Sequence, residues 1–287
     1  MTRLSLIGFG EAGTAFAEGF LSARPAITAH DLAFSEDSGM VARAERLGVT
    51  AADSMAAALS EADIILSVVT ADQAVAAASL AADHINQGAL YCDMNSCAPA
   101  SKVAAAAAIE AAGGRYVDVA VMAPVYPKRN LVPLLVAGPH AAAAAARLKT
   151  LPMAPTVVEG PVGAASSIKM IRSVMVKGLE ALTAECLLAA TKAGVADAVL
   201  GSLTKSHGGT DWPRQTAYNF ERMLAHGARR AAEMDEVAKT LADLGLPNAM
   251  ARATADWQRA IVATGETADP DEPVTNIANR ILKSTKI

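Results

Sequence analysis

The first half of the chain alternates short apolar runs with segments of helical periodicity. Apolar runs of strand length occupy residues 3–7, 26–31, 63–69, 89–93, 115–121, 132–137 and 155–159. Helical patterns fill residues 11–23, 35–47, 53–60, 71–84, 99–112 and 139–149. Strands that alternate with helices predict an α/β fold, in which a doubly wound, mostly parallel sheet carries helices on both faces.

The pattern changes after Gly163, and no further strand-like run follows. A long helical pattern covers residues 164–193, and shorter ones cover 195–205, 213–225, 228–244, 248–264 and 274–284. We therefore expect an α/β domain over residues 1–162 and an all-α C-terminal domain over residues 163–287. The apolar side of the long helix is broad enough to require cover from a second subunit, which predicts a homodimer built on the helical domain.

The first predicted strand runs directly into Gly8, Gly10 and Gly13, and a helix follows at once. This is the G-x-G-x-x-G pattern, in which the glycines allow a tight turn, close approach to a pyrophosphate and close packing of helix on strand. It predicts a Rossmann-type domain that binds a dinucleotide at the start of the first helix. The residues expected at the cofactor are Gly8, Phe9, Gly10, Glu11, Ala12 and Gly13.

Asp31 stands at the end of the second predicted strand, about twenty residues after the glycines, where an acid bonds the ribose hydroxyls of NAD. The next residues are Leu32, Ala33 and Phe34, so no arginine follows that could bind a 2′-phosphate. NAD is therefore the expected cofactor, and NADP stays an alternative. A simpler role for Asp31 is the N-cap of the next helix.

The carboxyl ends of the other strands carry further candidates, since ligands of such sheets bind beyond those ends. We expect Val69, Thr70, Asn95 and Ser96 at the cofactor, with Ser96 also near the substrate. A second group, Met122, Ala123 and Pro124, is expected to shape the substrate pocket.

Composition and net charge limit the kinds of partner that this protein is expected to bind. The chain has 287 residues and a net charge of −4, which gives no reason to expect nucleic acid or an acidic membrane. Three cysteines form no zinc pattern, so no metal is expected. Without a secretory segment or an apolar run of membrane-spanning length, we expect a cytoplasmic protein with a small-molecule substrate.

Four segments in order resemble the β-hydroxyacid dehydrogenase family, within the superfamily of 6-phosphogluconate dehydrogenase. They are IGFGEAG at the first turn, the loop at 93–99 (D-x-S-T-x-x-P), the strand at 116–121 (V-D-A-P-V) and residues 163–169 (G-x-x-x-x-x-K). The resemblance implies an NAD-dependent enzyme that moves a hydride between the cofactor and a small hydroxy acid or related polar alcohol or carbonyl. It makes Lys169 the catalytic acid and base, and an ammonium can both stabilise and protonate a developing alkoxide.

The chain also departs from that family. Ser173 stands where the family has asparagine, with Arg172 just before it, and Met122-Ala123-Pro124 stands where the family has S-G-G. Methionine and proline offer fewer donors to a substrate carboxylate. In the family, another lysine near a later helix lines the site. Arg230 is expected to take the place of that lysine here. These features resemble a divergent branch whose helical C-terminal domain is often labelled as of unknown function.

Two other functions stay open from the sequence. Imine reductases share the two-domain plan, but they generally carry aspartate or tyrosine in place of the helix lysine, so Lys169 argues against them. A non-catalytic protein that binds or senses NAD is compatible with the departures at Ser173 and at residues 122–124. The polar, glycine-rich segment at 205–213 is either a helix connector or a loop that closes on substrate.

Overall fold

The computed structural model describes residues 2–23, 25–269 and 272–284. They divide into two compact units, Met1–Lys169 and Met170–Ile287. The change of unit falls within one long helix, α7 (Ala164–Lys192). The predicted fold class is confirmed, because a mostly parallel α/β unit is followed by helices alone.

Within the described residues, eight strands form one sheet in the order β3-β2-β1-β4-β5-β6-β7-β8. All neighbouring pairs are parallel except β6 and β7. The strands are β1 (Arg3–Ile7), β2 (Ala26–His30), β3 (Val49–Ala51), β4 (Ile64–Ser67), β5 (Leu90–Asp93), β6 (Arg115–Val121), β7 (Pro133–Ala137) and β8 (Ala154–Val157).

The central strands are buried on both faces, as parallel strands between two layers of helices must be. In β4, Ile64 and Leu66 join one apolar cluster, whereas Ile65 between them joins the cluster on the opposite face. The helices that cover the sheet are α1 (Glu11–Phe20), α2 (Ser38–Arg46), α3 (Met55–Leu59), α4 (Ala74–Ala82), α5 (Pro99–Ala111) and α6 (Ala141–Thr150).

One strand was missed by the sequence pattern. Val49, Thr50 and Ala51 form β3, which pairs only with β2 at the edge of the sheet. A strand of three residues is too short to show alternation between flanking helices.

The second unit contains the rest of α7 together with α8 (Ala196–Ser206), α9 (Trp212–Asp243), α10 (Ala249–Val262) and α11 (Val274–Ser284). Its largest core cluster is built around Phe220, Met223, Ile261 and Ile277. The predicted break between residues 225 and 228 is wrong, because α9 continues through it. No helix among the described residues is both long and apolar enough to span a bilayer.

The cause of that error is Gly227. A Cβ on this residue would lie 2.6 Å from the backbone oxygen of Gln258 and 2.7 Å from Val262 Cβ. The glycine is therefore there to let α10 pack closely on α9, and it does not end the helix.

Candidate functional site

The glycine turn after β1 has the form that a phosphate-binding loop needs. Gly8 has a φ of +95°, and a Cβ there would lie 2.8 Å from the backbone oxygen of Val68. A Cβ on Gly13 would lie 2.4 Å from the backbone oxygen of Gly8. These two glycines are thus required by close packing of the turn against β4 and α1.

Gly10 differs from the other two glycines. It caps α1, and a Cβ placed on it would meet no heavy atom within 4 Å. The backbone N–H groups of the first helical turn, which includes Glu11 and Ala12, point towards this end of the helix. A pyrophosphate in the open space over Gly10 would face these groups and the positive end of the helix dipole.

Asp31 is held beside this turn by two backbone donors. Its Oδ2 accepts from the N–H of Phe9 at 2.6 Å, and its Oδ1 accepts from the N–H of Ala33 at 2.9 Å. The second bond makes Asp31 the N-cap of a short 3-10 helix over Leu32–Ser35. A carboxylate offers about four acceptor positions, so two remain for ribose hydroxyls.

Asn95 supplies an acceptor that has no donor. The side chain is 4% exposed, and its Nδ2 donates to Ser67 Oγ at 3.0 Å. Its Oδ1 is buried without a hydrogen-bond partner. Such an oxygen costs about 1–3 kcal/mol, which a ligand N–H or O–H would recover. Together with the open space over Gly10, this orphaned oxygen shows that the residues present fit a dinucleotide.

Lys169 and Ser96, which the sequence analysis singled out separately, are in direct contact. Lys169 lies in the second turn of α7, and its Nζ donates to Ser96 Oγ at 2.5 Å. Both side chains are half-buried. Ser96 follows β5 at the carboxyl edge of the sheet, where β1 ends in the glycine turn. The lysine thus lies at the edge where the topology predicted ligand binding.

Beneath this contact lies a buried ionic cluster that the sequence analysis did not predict. Lys102 Nζ donates to the backbone oxygen and to Oδ1 of Asp93, both at 2.7 Å. Asp93 Oδ2 accepts from the hydroxyl of Tyr116 at 2.7 Å. Burial would lower the pKa of Lys102, but electrostatic interactions with Asp93, Cys97 and Asp118 outweigh it and raise that pKa. The cluster therefore holds a charged ammonium in the interior.

Asp118, in β6, caps α7 from outside the helix. Its Oδ2 accepts from the N–H groups of Gly163 at 3.0 Å and Ser166 at 3.1 Å. Its Oδ1 accepts from the Ser166 hydroxyl at 2.5 Å. A carboxylate at a helix N-terminus satisfies orphan donors and matches the dipole. It thereby fixes the start of the helix one turn before Lys169.

The signal that could have revealed this cluster is the position of Lys102. It is the fourth residue of α5, a helix otherwise made largely of alanine. A cation near a helix N-terminus opposes the dipole, so it needs a specific anionic partner. Asp93, nine residues earlier and at the end of a strand, was the available candidate.

The other predicted cofactor residues, Val69 and Thr70, follow β4, and Thr70 caps a short 3-10 helix over Ala71–Gln73. Of the three residues after β6, Met122 donates its N–H to the Pro133 oxygen at 2.9 Å. Ala123 packs on the apolar core, and Pro124 is exposed. Their roles at cofactor and substrate stay predictions.

The remaining predicted substrate residues belong to the second unit. Arg172 is exposed, and Ser173 accepts from Lys177 Nζ at 3.3 Å. The guanidinium of Arg230 is buried and pairs with Glu180. Substrate contact by these residues stays a prediction, and for Arg230 that contact competes with an existing ion pair.

Two family descriptions match the chain. The NAD-binding domain of 6-phosphogluconate dehydrogenase matches residues 3–158. A domain of unknown function, DUF1932, matches residues 190–261. No match was found among curated proteins.

Several solved structures share the whole architecture. A conserved hypothetical protein from Sinorhizobium meliloti 1021 is 38% identical, with 99% of this chain and 97% of that chain covered and a TM-score of 0.79. The conserved protein MTH1747, of unknown function and described as similar to 3-hydroxyacid dehydrogenases, is 28% identical (90% and 96% covered, TM-score 0.72). The 3-hydroxyisobutyrate dehydrogenase of Mycobacterium tuberculosis is 18% identical (96% and 99% covered, TM-score 0.77) and shows the shared fold.

The match over residues 3–158 makes the first unit an NAD-binding domain, in agreement with the glycine turn and the unpartnered oxygen of Asn95. The likeness to the Sinorhizobium protein extends over both units. The chain therefore belongs to the family of the 6-phosphogluconate dehydrogenase NAD-binding domain, among the 3-hydroxyacid dehydrogenase-like proteins whose helical C-terminal region matches DUF1932.

Proposed function

We propose that this protein is an NAD-dependent oxidoreductase acting on a small hydroxy acid or a related polar alcohol or carbonyl, with Lys169 as its general acid and base. The observation that carries the proposal is the 2.5 Å contact between Lys169 Nζ and Ser96 Oγ. The bound nicotinamide cofactor supplies or takes the hydride. Every other role belongs to residues of the chain.

Lys169 and Ser96 would handle the substrate oxygen together. The ammonium donates one hydrogen to Ser96 Oγ, so the serine hydrogen is free to turn towards a third oxygen. In the reducing direction a proton moves from Lys169 Nζ to the carbonyl oxygen, and in oxidation the neutral amine takes it back. Until the proton is transferred, both groups stabilise the negative charge that develops on this oxygen.

Substrate choice would differ from that of the usual family members. The family's S-G-G motif is replaced here by Met122, Ala123 and Pro124. Pro124 has no backbone N–H to offer a substrate carboxylate. The Met122 N–H is already bonded to the Pro133 oxygen. We therefore propose a substrate whose polar group at this position needs fewer donors than a small 3-hydroxy acid does.

The test is to incubate the protein with NAD and a panel of hydroxy acids, hydroxy phosphates and related alcohols, and to follow the absorbance of NADH. For any substrate found, Lys169→Ala should lower kcat by about a hundredfold to ten-thousandfold, the usual contribution of general acid–base catalysis. The dissociation constant of NADH, measured by calorimetry, should stay nearly unchanged. Lys192→Ala, an exposed lysine in the last turn of the same helix, is the control.

Three outcomes would contradict the proposal. Turnover of the Lys169→Ala variant at the parent rate would make Lys169 a bystander. Reduction of cyclic or open imines, with no activity on any alcohol or ketone, would favour an imine reductase. Tight NADH binding with no turnover of any compound in the panel would favour a protein that binds NAD without catalysis.

A further inference from the structure

We propose that Lys102 is a positioning residue: its buried ammonium holds the loop that carries Ser96 and the start of the helix that carries Lys169 in one fixed arrangement. The structural part of this inference stands on the contacts of Lys102 alone. Its catalytic consequence rests on the proposed function of Lys169.

The first of these contacts fixes the loop after β5. Lys102 Nζ binds Asp93 twice, through the backbone oxygen and through Oδ1, each at 2.7 Å. The same Oδ1 accepts the N–H of Asn95 at 2.9 Å. The ammonium thus orients the carboxylate that folds residues 93–95 into the turn, and Ser96 follows directly.

The second contact reaches the helix. Lys102 Nζ lies 3.9 Å from Asp118 Oδ1, the atom that accepts the Ser166 hydroxyl. Asp118 Oδ2 accepts the N–H groups of Gly163 and Ser166. Because Lys169 is one turn beyond Ser166, the position of Asp118 sets the height and rotation of Lys169 on α7.

Charge explains why a lysine is needed between the two segments. Lys102, Asp93 and Asp118 are all 0% exposed, so bulk solvent does not screen the two carboxylates from each other. Without the ammonium, two buried anions would share the site, and one would have to take a proton or move away. Loss of the ammonium also removes the attraction that holds both the turn at 93–96 and the start of α7 in place.

An ordinary buried ion pair would stabilise the fold without this consequence. The difference lies in where the two acceptors belong. Asp93 begins the Ser96 turn, and Asp118 caps the Lys169 helix. If Lys102 positions both segments, its loss should loosen the Ser96 turn and the start of α7 together and leave the rest of the unit unchanged. If the ion pair only stabilises the fold, its loss should lower the stability of the whole unit.

The experiment is hydrogen–deuterium exchange of the full-length protein, read by mass spectrometry. The decisive variant is the double substitution Lys102→Met with Asp93→Asn, which leaves the net buried charge of the cluster unchanged and removes the attraction between Lys102 and Asp118. Peptides covering residues 94–97 and 164–169 should both exchange faster, the first of them by at least about tenfold, as expected when a charge-assisted hydrogen bond is lost. Peptides from β1, β4 and α4 should stay unchanged.

Two further variants are compared with the double variant. The single Lys102→Met variant should show faster exchange in the same two segments. Should this single variant fail to fold, the double variant alone provides the test. Lys149→Met, at an exposed lysine of α6, should change neither segment. Equal acceleration throughout the first unit in the double variant, or protection retained in either segment, would overturn the inference.

Activity separates this inference from the proposed function. If Lys169→Ala keeps full turnover while the double variant loosens both segments, the proposed function fails and the positioning role stands. If Lys169→Ala loses turnover while both segments keep their protection in the double variant, the positioning role fails and the proposed function stands. If both hold, kcat should fall in the double variant.

Discussion

Asp31 is the residue on which the choice between NAD and NADP depends. Its carboxylate is fixed next to the glycine turn by the N–H of Phe9, and it would meet a 2′-phosphate with like charge. Asp31→Ala should weaken NAD binding by about 10- to 100-fold, since hydrogen bonds to a charged group contribute about 1.5–3 kcal/mol. The same change should improve the relative affinity for NADP, measured by calorimetry.

Asp37→Ala is the matched control for that experiment. Asp37 caps α2 through the N–H of Met40 at 3.0 Å and carries the same charge on the surface. Its removal should leave NAD affinity unchanged. Equal or tighter binding of NADP by the unmutated protein would show that Asp31 does not select NAD.

Buried phenols make the protein sensitive to alkali. Burial, and next the charge of Asp93, raises the pKa of both Tyr91 and Tyr116 above the ordinary value of 10.0. Above that pH the unfolded chain loses these protons while the folded protein keeps them, so unfolding is favoured as pH rises. The raised pKa of Lys102 acts in the same direction above 10.5.

We therefore expect the free energy of unfolding to fall as pH rises above 10.0, by up to about 1.4 kcal/mol per pH unit for each such group. Tyr91→Phe should remove one group's share of that slope in urea titrations at several pH values. Tyr218→Phe, at a tyrosine that is 55% exposed, should leave the slope as it is. An unchanged slope in the Tyr91 variant would argue against its burial.

Candidate residues could be identified from the sequence where a local pattern carried the chemistry. The glycine turn, Asp31 and the Lys169 motif were each readable from neighbouring residues. Lys102 was not, because a lysine in an alanine-rich helix looks like a surface residue until its partners are known. Asp118, one of its partners, lies on β6. The separation along the sequence does not show that the side chains of Lys102 and Asp118 lie close together.

At the scale of elements, α9 and α10 meet along a seam that Gly227 makes possible. Gly227→Ala should lower stability by about 1–3 kcal/mol, because the new Cβ would meet the backbone oxygen of Gln258 and the helices would have to separate. Gly201 lies inside α8 with nothing within 4 Å of a built Cβ. Gly201→Ala should instead raise stability by about 0.4–1 kcal/mol.

Urea denaturation of the two glycine variants provides the comparison. Both positions are in helices of the second unit, so the same substitution is made in a close-packed and in an open environment. A Gly227→Ala variant as stable as the parent protein would mean that α10 does not approach α9 as closely as described.

Over residues 171–182, helix α7 buries polar side chains and exposes large apolar ones. Its buried polar residues are paired there: Lys177 with Glu233 at 2.8 Å, and Glu180 with Arg230 and Gln258. Its opposite side exposes large apolar side chains, namely Ile171, Met175, Leu179 and Leu182. Periodicity in the sequence predicted a broad apolar side that needs cover from a second subunit, but it did not predict the buried ion pairs on the other side.

At the scale of the whole molecule, this exposed apolar surface of α7 supports the expected homodimer, which we propose as the assembly of the protein. Met175 is 65% exposed and Leu182 is 56% exposed, two turns apart on one side of the helix. A second copy packed here could reach the roughly 800 Å² per partner of a standard interface.

Light scattering tests this assembly at micromolar concentration. The unmutated protein should have the mass of a dimer, and the double variant Met175→Glu with Leu182→Glu should have the mass of a monomer, because charges on an apolar interface are costly to bury. Lys192→Glu, at an exposed position of the same helix, should leave the dimer intact. A monomer mass for the unmutated protein would refute the proposal.

The sequence by itself determined the architecture and the identity of the main candidates. Alternating strand and helix patterns are local, and each strand or helix longer than a few residues shows its own period. For the same reason, the three-residue strand β3 and the continuation of α9 through Gly227 escaped the pattern.

Only the tertiary structure decided which of these residues meet. Ser96 and Lys169 are 73 positions apart, and Asp118 and Gly163 are 45 apart, yet each pair shares a hydrogen bond. Such contacts depend on the placement of β5, β6 and α7 around one buried charge, which no local period encodes. The position of Lys102 follows from its burial, because an ammonium removed from water is stable only beside carboxylates that neutralise its charge.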